Sequence, residues 1–270
     1  MGHPVAHSRS PLIHGYWLKS LGLPGAYELR DIAPEAFAAF VTRLAQHGYV
    51  GGNVTVPHKE AAFRLVARRD AAAEAVGAVN TVWVEDGVLH GGNSDVQGFV
   101  ANLDDQAPGW NVPGGRALLL GAGGAARAAA WALLERGVRV ALVNRSVARA
   151  QELAAHFGAG VRAYGWDALG SLLADADLLV NCTSCGMTGK PQLDIELSRL
   201  KPGAVVCDVV YVPLDTALLA AARRRGHRTV DGLGMLLHQA VFGFRKWFGA
   251  TPRVTPELRA LVEADLRAGR

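Results

Sequence analysis

Two segments near the amino terminus carry apolar residues at helical spacing, PLIHGYWLKSL (11–21) and PEAFAAFVTRLAQH (34–47). The second opens on Pro34, which suits the first turn of a helix. Between them, AYELRDI (26–32) alternates as a half-buried strand does. GGNVTV (51–56) predicts another strand, stopped by Pro57, and HKEAAFRLVARR (58–69) predicts a helix. AVNTVWVEDGVLHGGNSD (78–95) predicts a β-hairpin turning at Asp86-Gly87 and ending in a polar, Gly-rich loop.

The pattern then changes. RALLLGAGGAARAAAWALLERGVRVALVNRS (116–146) reads as strand, Gly-rich turn, helix and strand, and its apolar runs ALLL and VALV suit a parallel sheet buried on both faces. A helix over 148–157, buried strands within 176–187 and 203–211, a helix over 214–225 and a short strand within 227–232 continue the series. This alternation predicts an α/β fold with a doubly wound parallel sheet over about 97–231. Residues 233–264 read as mainly helical with a Thr-Pro break at 251–256, and PGWNVPGG (108–115) reads as a linker.

Composition narrows the class. Half of the 270 residues are hydrophobic and 19% are charged, which supplies a core and excludes a disordered chain. No apolar run approaches the ~20 residues of a membrane helix, and the opening MGHPVAHSRSP lacks the apolar stretch of a secretory signal. Three cysteines are too few for a disulfide framework. A cytoplasmic protein, monomeric or homodimeric, is expected. The 28 Lys and Arg against 24 Asp and Glu give a net charge of +4, with pI near 9.1. These cations are scattered, and the densest runs, Arg68-Arg69 and Arg223-Arg224-Arg225, read as solvated helix ends rather than a nucleic-acid surface. A basic balance also suits an enzyme of anionic ligands. The 32 glycines cluster without period, so they mark tight turns and close backbone approach.

One cluster is Gly121-Ala122-Gly123-Gly124-Ala125-Ala126, directly after a strand and opening a helix, as a dinucleotide fingerprint requires. Gly121 permits the turn, Gly123 admits the pyrophosphate, and Ala126 takes the third slot, where a small residue lets helix and strand approach. The free N–H groups of the helix start complete an anion site. About 20 residues on, an NAD site carries a carboxylate for the ribose 2′-hydroxyl. Here that strand ends in Asn144-Arg145-Ser146, with Arg149 beyond it. Guanidinium groups pair with a 2′-phosphate, so NADP is favoured over NAD.

The first ninety-five residues hold polar clusters that a fold alone does not need. Ser8 and Ser10 in HSRS either offer two hydroxyls to a hydroxylated or carboxylate ligand or cap the helix before Pro11. Asn53 and Thr55 share one face of a predicted strand, and Lys59 follows just past Pro57. Asn93 and Asp95 lie in the Gly-rich loop. Exchange of an alcohol and a ketone by hydride transfer needs one proton donor or acceptor near the oxygen. Lys59 and Asp95 are candidates, with His7, His14 and His58 as rivals.

HPVAHSRSPLIH (3–14), GGNVTVPHK (51–59), AVNT (78–81), GGNSDVQG (91–98), GAGGAAR (121–127), NRS (144–146), NCTSCGM (181–187), DVVYVPLDT (208–216) and DGLGMLLHQA (231–240) occur in that order. Together they resemble the shikimate dehydrogenase family over nearly the whole chain. The resemblance implies an α/β substrate domain, residues 1–96 completed by helices of 233–270, and a Rossmann-like NADP domain over 97–232. It makes Lys59 and Asp95 the catalytic pair. It sets shikimate against Ser8, Ser10, Asn53, Thr55, Asn80, Asp95 and Gln239, with Tyr211 nearby. It sets NADP on the 121–126 turn, on Asn144, Arg145, Ser146 and Arg149, and near Thr183, Gly232 and Met235. The implied reaction is reversible oxidation of the shikimate ring hydroxyl to 3-dehydroshikimate, in aromatic amino-acid (chorismate) biosynthesis. No metal is implied.

Three departures stand out. The family's NTD is Asn93-Ser94-Asp95, which keeps the hydroxyl. Cys182 replaces the usual Ala and creates Cys182-x-x-Cys185, a redox or metal spacing without a second Cys pair. The strand that normally precedes the first motif has no counterpart before His3, so either translation begins further upstream or a strand has been lost, leaving its neighbour's edge unpaired. Three other readings stay open: a quinate/shikimate dehydrogenase using NAD or both cofactors, an aminoshikimate-type relative, and a non-enzymatic protein that senses NADP.

Overall fold

The computed structural model describes residues 1–269. The chain forms α1 (Ser10–Ser20), α2 (Pro34–Val41), β1 (Gly51–Asn53), α3 (Lys59–Leu65), β2 (Arg68–Arg69), α4 (Ala71–Val76), β3 (Thr81–Glu85), β4 (Val88–Gly92) and α5 (Ser94–Gln106). It continues with β5 (Arg116–Leu120), α6 (Gly124–Glu135), β6 (Arg139–Val143), α7 (Val147–Phe157), β7 (Val161–Tyr164), α8 (Leu169–Leu172) and β8 (Leu178–Asn181). Last come β9 (Val205–Asp208), α9 (Ala217–Arg224), β10 (Arg228–Val230), α10 (Gly232–Phe248) and α11 (Pro256–Arg267). Two compact units result, one from residues 1–95 with 237 onward, the other from 96–236.

The first unit is built on a four-stranded sheet of order β1-β3-β4-β2, antiparallel except for the β4–β2 pair. The β3–β4 hairpin turns through Asp86 (φ 53°) and Gly87 (φ 74°), the left-handed pair of a two-residue type I′ turn. Phe37, Val41, Leu44, Val54, Val66 and Val82 close the core on one side. Each such apolar side chain contributes ~1.5–3 kcal/mol by leaving water. Gly51 has no room for a side chain, because the Trp247 indole crosses it and donates to the Val82 carbonyl at 2.9 Å.

The second unit is a six-stranded parallel sheet of order β10-β9-β8-β5-β6-β7. Its chain order reverses between β5 and β8, the switch point at which open α/β sheets bind ligands beyond their carboxyl ends. Ala126, Ala128, Ala129, Ala130 and Ala132 of α6 are buried, which lets the helix lie close to the sheet. The other face buries Leu118, Leu120, Val143, Leu179, Val206, Leu218 and Leu219.

Several expectations need correction. Residues 26–32 form no strand, because their backbone meets partner backbone only at Gly2, through one isolated bridge to Asp31. The strand over 51–56 ends at Asn53 and the helix over 34–47 ends at Val41, giving way to a 3₁₀ turn at Leu44–His47. The helix over 58–69 stops at Leu65, and Arg68-Arg69 is a strand pairing with His90-Gly91, not a helix end. Asp95 lies not in a loop but in the first turn of α5, since Asn93 Oδ1 accepts the Asp95 N–H at 3.2 Å and caps the helix one turn early. The 108–115 stretch is a loop within the second unit, with Trp110 buried and bonded to Asp104. The feared unpaired edge is partly met by residues 1–3. The Met1 carbonyl accepts Thr55 N–H at 2.9 Å, His3 N–H donates to Val56 at 3.1 Å, and Gly2 bonds to Arg30 and Ile32 on the other side.

Candidate active site

In the first unit, Lys59 opens α3 and Asp95 sits in the first turn of α5, which sets their side chains 2.6 Å apart, Nζ to Oδ2. Both are half-buried, at 30% and 19% exposure, so the pair is partly desolvated yet reachable. The second carboxylate oxygen, Oδ1, accepts from Asn80 Nδ2 at 2.8 Å. Asn80 is oriented in turn by donors crowding its Oδ1: Ser94 N–H at 2.8 Å, Thr81 Oγ1 at 3.0 Å and Ser94 Oγ at 3.2 Å. Only the amide nitrogen is left to face Asp95.

The same network reaches the other polar residues of this unit. Ser94 Oγ lies 3.1 Å from Gln239 Oε1. Asn53 donates to Thr81 Oγ1 at 3.1 Å and accepts from the Tyr27 hydroxyl at 2.8 Å. Burial pushes the Tyr27 hydroxyl up to about 12, against hydrogen bonds to Asn53 and Ser10 that act the other way, so it is a fixed neutral donor. Ser8 and Ser10 lie 3.2 Å apart, and Ser8 Oγ also accepts the Ser10 N–H at 3.3 Å, so the two hydroxyls form a polar pair just before α1, whose N-cap residue, Arg9, makes no side-chain capping bond. Arg9 between them is held by Asp265 at 2.6 Å. The Thr55 hydroxyl has no hydrogen-bond partner among the described residues.

Thr81, Tyr27 and Arg9 are the residues that sequence reasoning passed over, and Ser94 was noted only for keeping the motif's hydroxyl. Ser94 and Thr81 stood inside quoted motifs, but nothing in their spacing marked them as orienting groups. Of the histidine rivals, His58 is buried with Nε2 2.7 Å from the Ile32 carbonyl, and His14 is enclosed by Tyr27, Trp17, Phe244 and Trp247. Burial drives His14 down to about 3, overriding the Asn53 side chain that favours its charge. Both serve the core, whereas His7 is exposed.

In the second unit, Gly121 leaves β5 at φ 102°, where a Cβ would lie 3.0 Å from the Thr183 methyl. Gly123 and Gly124 are exposed, with nothing within 4 Å of an added Cβ. Gly123 caps α6 without any side-chain bond, and no acidic residue stands in that first turn. The N–H groups and dipole of that helix start are therefore open to an anion. Thr183 closes one wall, its N–H and hydroxyl both on Asn181 Oδ1 at 3.0 and 2.7 Å. Beyond the next strand, Asn144 Nδ2 donates to the Ser146 carbonyl at 2.9 Å, shaping the turn that carries Arg145. Arg145 and Arg149 are exposed, and neither has an ion-pair partner among the described residues. Gly232 packs its Cα onto the Val209 and Val210 carbonyls, and Met235 is half-buried on α10. Tyr211 lies in this unit, half-buried, in the segment after β9. This unit fits a dinucleotide phosphate: donors without partners, room at the glycines, and cations where a 2′-phosphate needs them.

Cys182 is buried, its thiol pushed up by burial and by Asp208, and Cys185 contributes backbone, its N–H to Thr183 Oγ1 and its carbonyl to Asn181. Asp208 itself is raised to about 6 by burial, although Thr216, Val210 and Asn181 donate to it.

Three family models match in chain order: the shikimate dehydrogenase substrate binding domain over residues 1–82, shikimate / quinate 5-dehydrogenase over 106–193, and the shikimate 5'-dehydrogenase C-terminal domain over 232–261. The shikimate dehydrogenase (NADP(+)) of Mesorhizobium japonicum is 60% identical over 98% of this chain and 95% of its own length. The shikimate 5-dehydrogenase of Thermus thermophilus, solved with NADP(H) and shikimate, is 37% identical with TM-score 0.86, covering 100% of this chain and 97% of that one. The quinate dehydrogenase of Corynebacterium glutamicum, solved with NAD, is 31% identical with TM-score 0.89, covering 97% and 96%. The chain belongs to the shikimate dehydrogenase family.

Proposed function

We propose that this chain catalyses the reversible NADP-linked oxidation of shikimate to 3-dehydroshikimate, with Lys59 exchanging the hydroxyl proton. The observation that carries the reading is the 2.6 Å contact of Lys59 Nζ with Asp95 Oδ2, in a carboxylate whose other oxygen is already tied to Asn80. Bound NADP supplies the hydride acceptor. In the oxidative direction Lys59 Nζ accepts the proton of the ring hydroxyl, and in reduction it returns a proton to the oxygen of the ketone. Asp95 keeps the Lys59 side chain in one place and accepts from a neighbouring substrate hydroxyl. The Ser8 and Ser10 hydroxyls donate to the substrate carboxylate, and Thr55, Asn53, Asn80 and Gln239 bond the ring hydroxyls, with Tyr211 nearby. The 121–126 turn holds the pyrophosphate, Asn144, Arg145, Ser146 and Arg149 hold the 2′-phosphate end, and Thr183, Gly232 and Met235 lie against the rest. This division makes residues 1–96 with 233–270 the substrate domain and 97–232 the cofactor domain, in an enzyme that works in the cytoplasm.

The test is Lys59→Ala. Removing a positioned proton exchanger lowers kcat by ~10²–10⁴-fold, while the Kd for NADP measured by fluorescence titration stays within twofold. Unchanged turnover would refute the role given to Lys59.

A further inference from the structure

The edge of the parallel sheet opposite the dinucleotide turn carries arginines that the proposed reaction does not use. In the registered strands, Arg116 of β5 faces Arg139 of β6, and Ala141 of β6 faces Arg162 of β7. Residues paired in a parallel ladder point to the same face, and alternate residues along one strand share it. Arg116, Arg139 and Arg162 therefore stand together on the face that Leu118, Ala141 and Tyr164 occupy. They line a cavity of about 260 Å³, walled by Leu172 and Ala176. It lies within one unit, at the amino-terminal ends of the strands, and the five residues of β5 separate it from Gly121 by roughly 15 Å.

Its charges are not balanced. Arg116 pairs with Asp175 at 2.7 Å. Nearby Asp177 is taken by Lys201 and by the Arg116 N–H. Arg139 reaches only the Gly114 carbonyl, at 3.4 Å, and Arg162 has no hydrogen-bond or ion-pair partner among the described residues. Arg139 faces Arg116, and Arg162 stands one step further along the neighbouring strand, so three guanidinium groups share this face with one carboxylate, Asp175, in the lining. An anion held by Arg139 and Arg162 offsets that excess positive charge, and a guanidinium fork matches a carboxylate bidentately. The remaining walls are apolar, so they favour a ligand with an apolar body over a bare ion. A cavity of about 150 Å³ is enough for benzene, so this one holds a single ring with its substituents.

We propose that this groove is a second binding site, for an organic carboxylate with a ring-sized apolar body. The probe is phthalate, titrated calorimetrically into the full chain at constant ionic strength and with saturating shikimate present. The expected result is saturable one-to-one binding, at least tenfold tighter than inorganic phosphate. It weakens at least tenfold in Arg162→Ala and in Arg139→Gln, and is unchanged in Lys59→Ala. Both arginines are exposed, so the variants keep the fold, which thermal denaturation checks. Lys59→Ala keeps the two sites distinguishable, because a failed activity assignment leaves the groove's binding intact. Absence of saturable binding overturns the proposal. So does equal affinity in the arginine variants, or phosphate binding as tightly as phthalate.

Discussion

A carboxamide has a donor end and an acceptor end, and at Asn80 the acceptor is claimed by Ser94 and Thr81, which aims the donor at Asp95. Orientation of this kind was illegible in the sequence. Lys59, Asp95 and Asn80 were named from motifs, but the hydroxyls that fix them come from different elements and share no spacing. Arg145 and Arg149 were more legible as candidates for a 2′-phosphate, because a missing carboxylate at a strand end is visible in the sequence alone. Arg145→Ala with Arg149→Ala removes two charge-assisted contacts, each worth ~1.5–3 kcal/mol. Steady-state kinetics should show KM for NADP rising at least tenfold with KM for NAD nearly unchanged. Equal effects on the two cofactors would count against a 2′-phosphate contact. His14 makes a prediction of another kind. It is neutral when folded down to about 3, whereas in the unfolded chain it takes up a proton below ~6.5. Its folded pKa is depressed, so stability is lost as pH falls from ~6.5 toward 3, by ~1.4 kcal/mol per pH unit. Urea unfolding at pH 7.5 and pH 5 should show the wild type losing about 2 kcal/mol more than His14→Phe. Asp208, raised to about 6, acts in the opposite sense in both chains and cancels from the comparison. An identical pH response in the two chains would remove His14 from the account.

At the scale of elements, strong periodicity carried over and weak alternation did not. The strand–turn–helix–strand over 116–146 is β5, α6 and β6, because its apolar runs are long and its glycines sit at the turn. AYELRDI has the alternation of a strand but meets neighbouring backbone only at Gly2, and a strand exists only where a partner bonds it. β7, four residues with one fully buried, was too short to signal itself. α5 began early because an Asn cap outweighed the two glycines before it. The turn between β5 and α6 gives a paired prediction. Gly121→Ala places a Cβ at positive φ, 3.0 Å from the Thr183 methyl. It should cost ~1–3 kcal/mol in urea unfolding. Gly123→Ala meets open space at an ordinary φ of −93°. It should change stability by under ~1 kcal/mol while weakening NADP binding, since its methyl occupies the pyrophosphate's approach. The reverse ranking of the two stabilities would contradict this reading of the turn.

For the whole molecule, the sequence changes pattern near residue 97 and returns to helices after 232, and the structure forms two compact units that divide at 95/96 and 236/237. The first unit holds the hydrogen-bonded network around Lys59 and Asp95, and the second holds the Gly121–Ala126 turn with Arg145 and Arg149, which have no ion-pair partner among the described residues. No helix among the described residues is long and apolar enough to cross a membrane. A spectrophotometric assay of the purified protein at 340 nm, crossing shikimate and quinate with NADP and NAD, measures directly which substrate and cofactor this chain pairs. The prediction is rapid turnover with shikimate and NADP, at least a hundredfold faster in kcat/KM than any other combination. Comparable rates with NAD or with quinate would contradict it, and so would no turnover in all four.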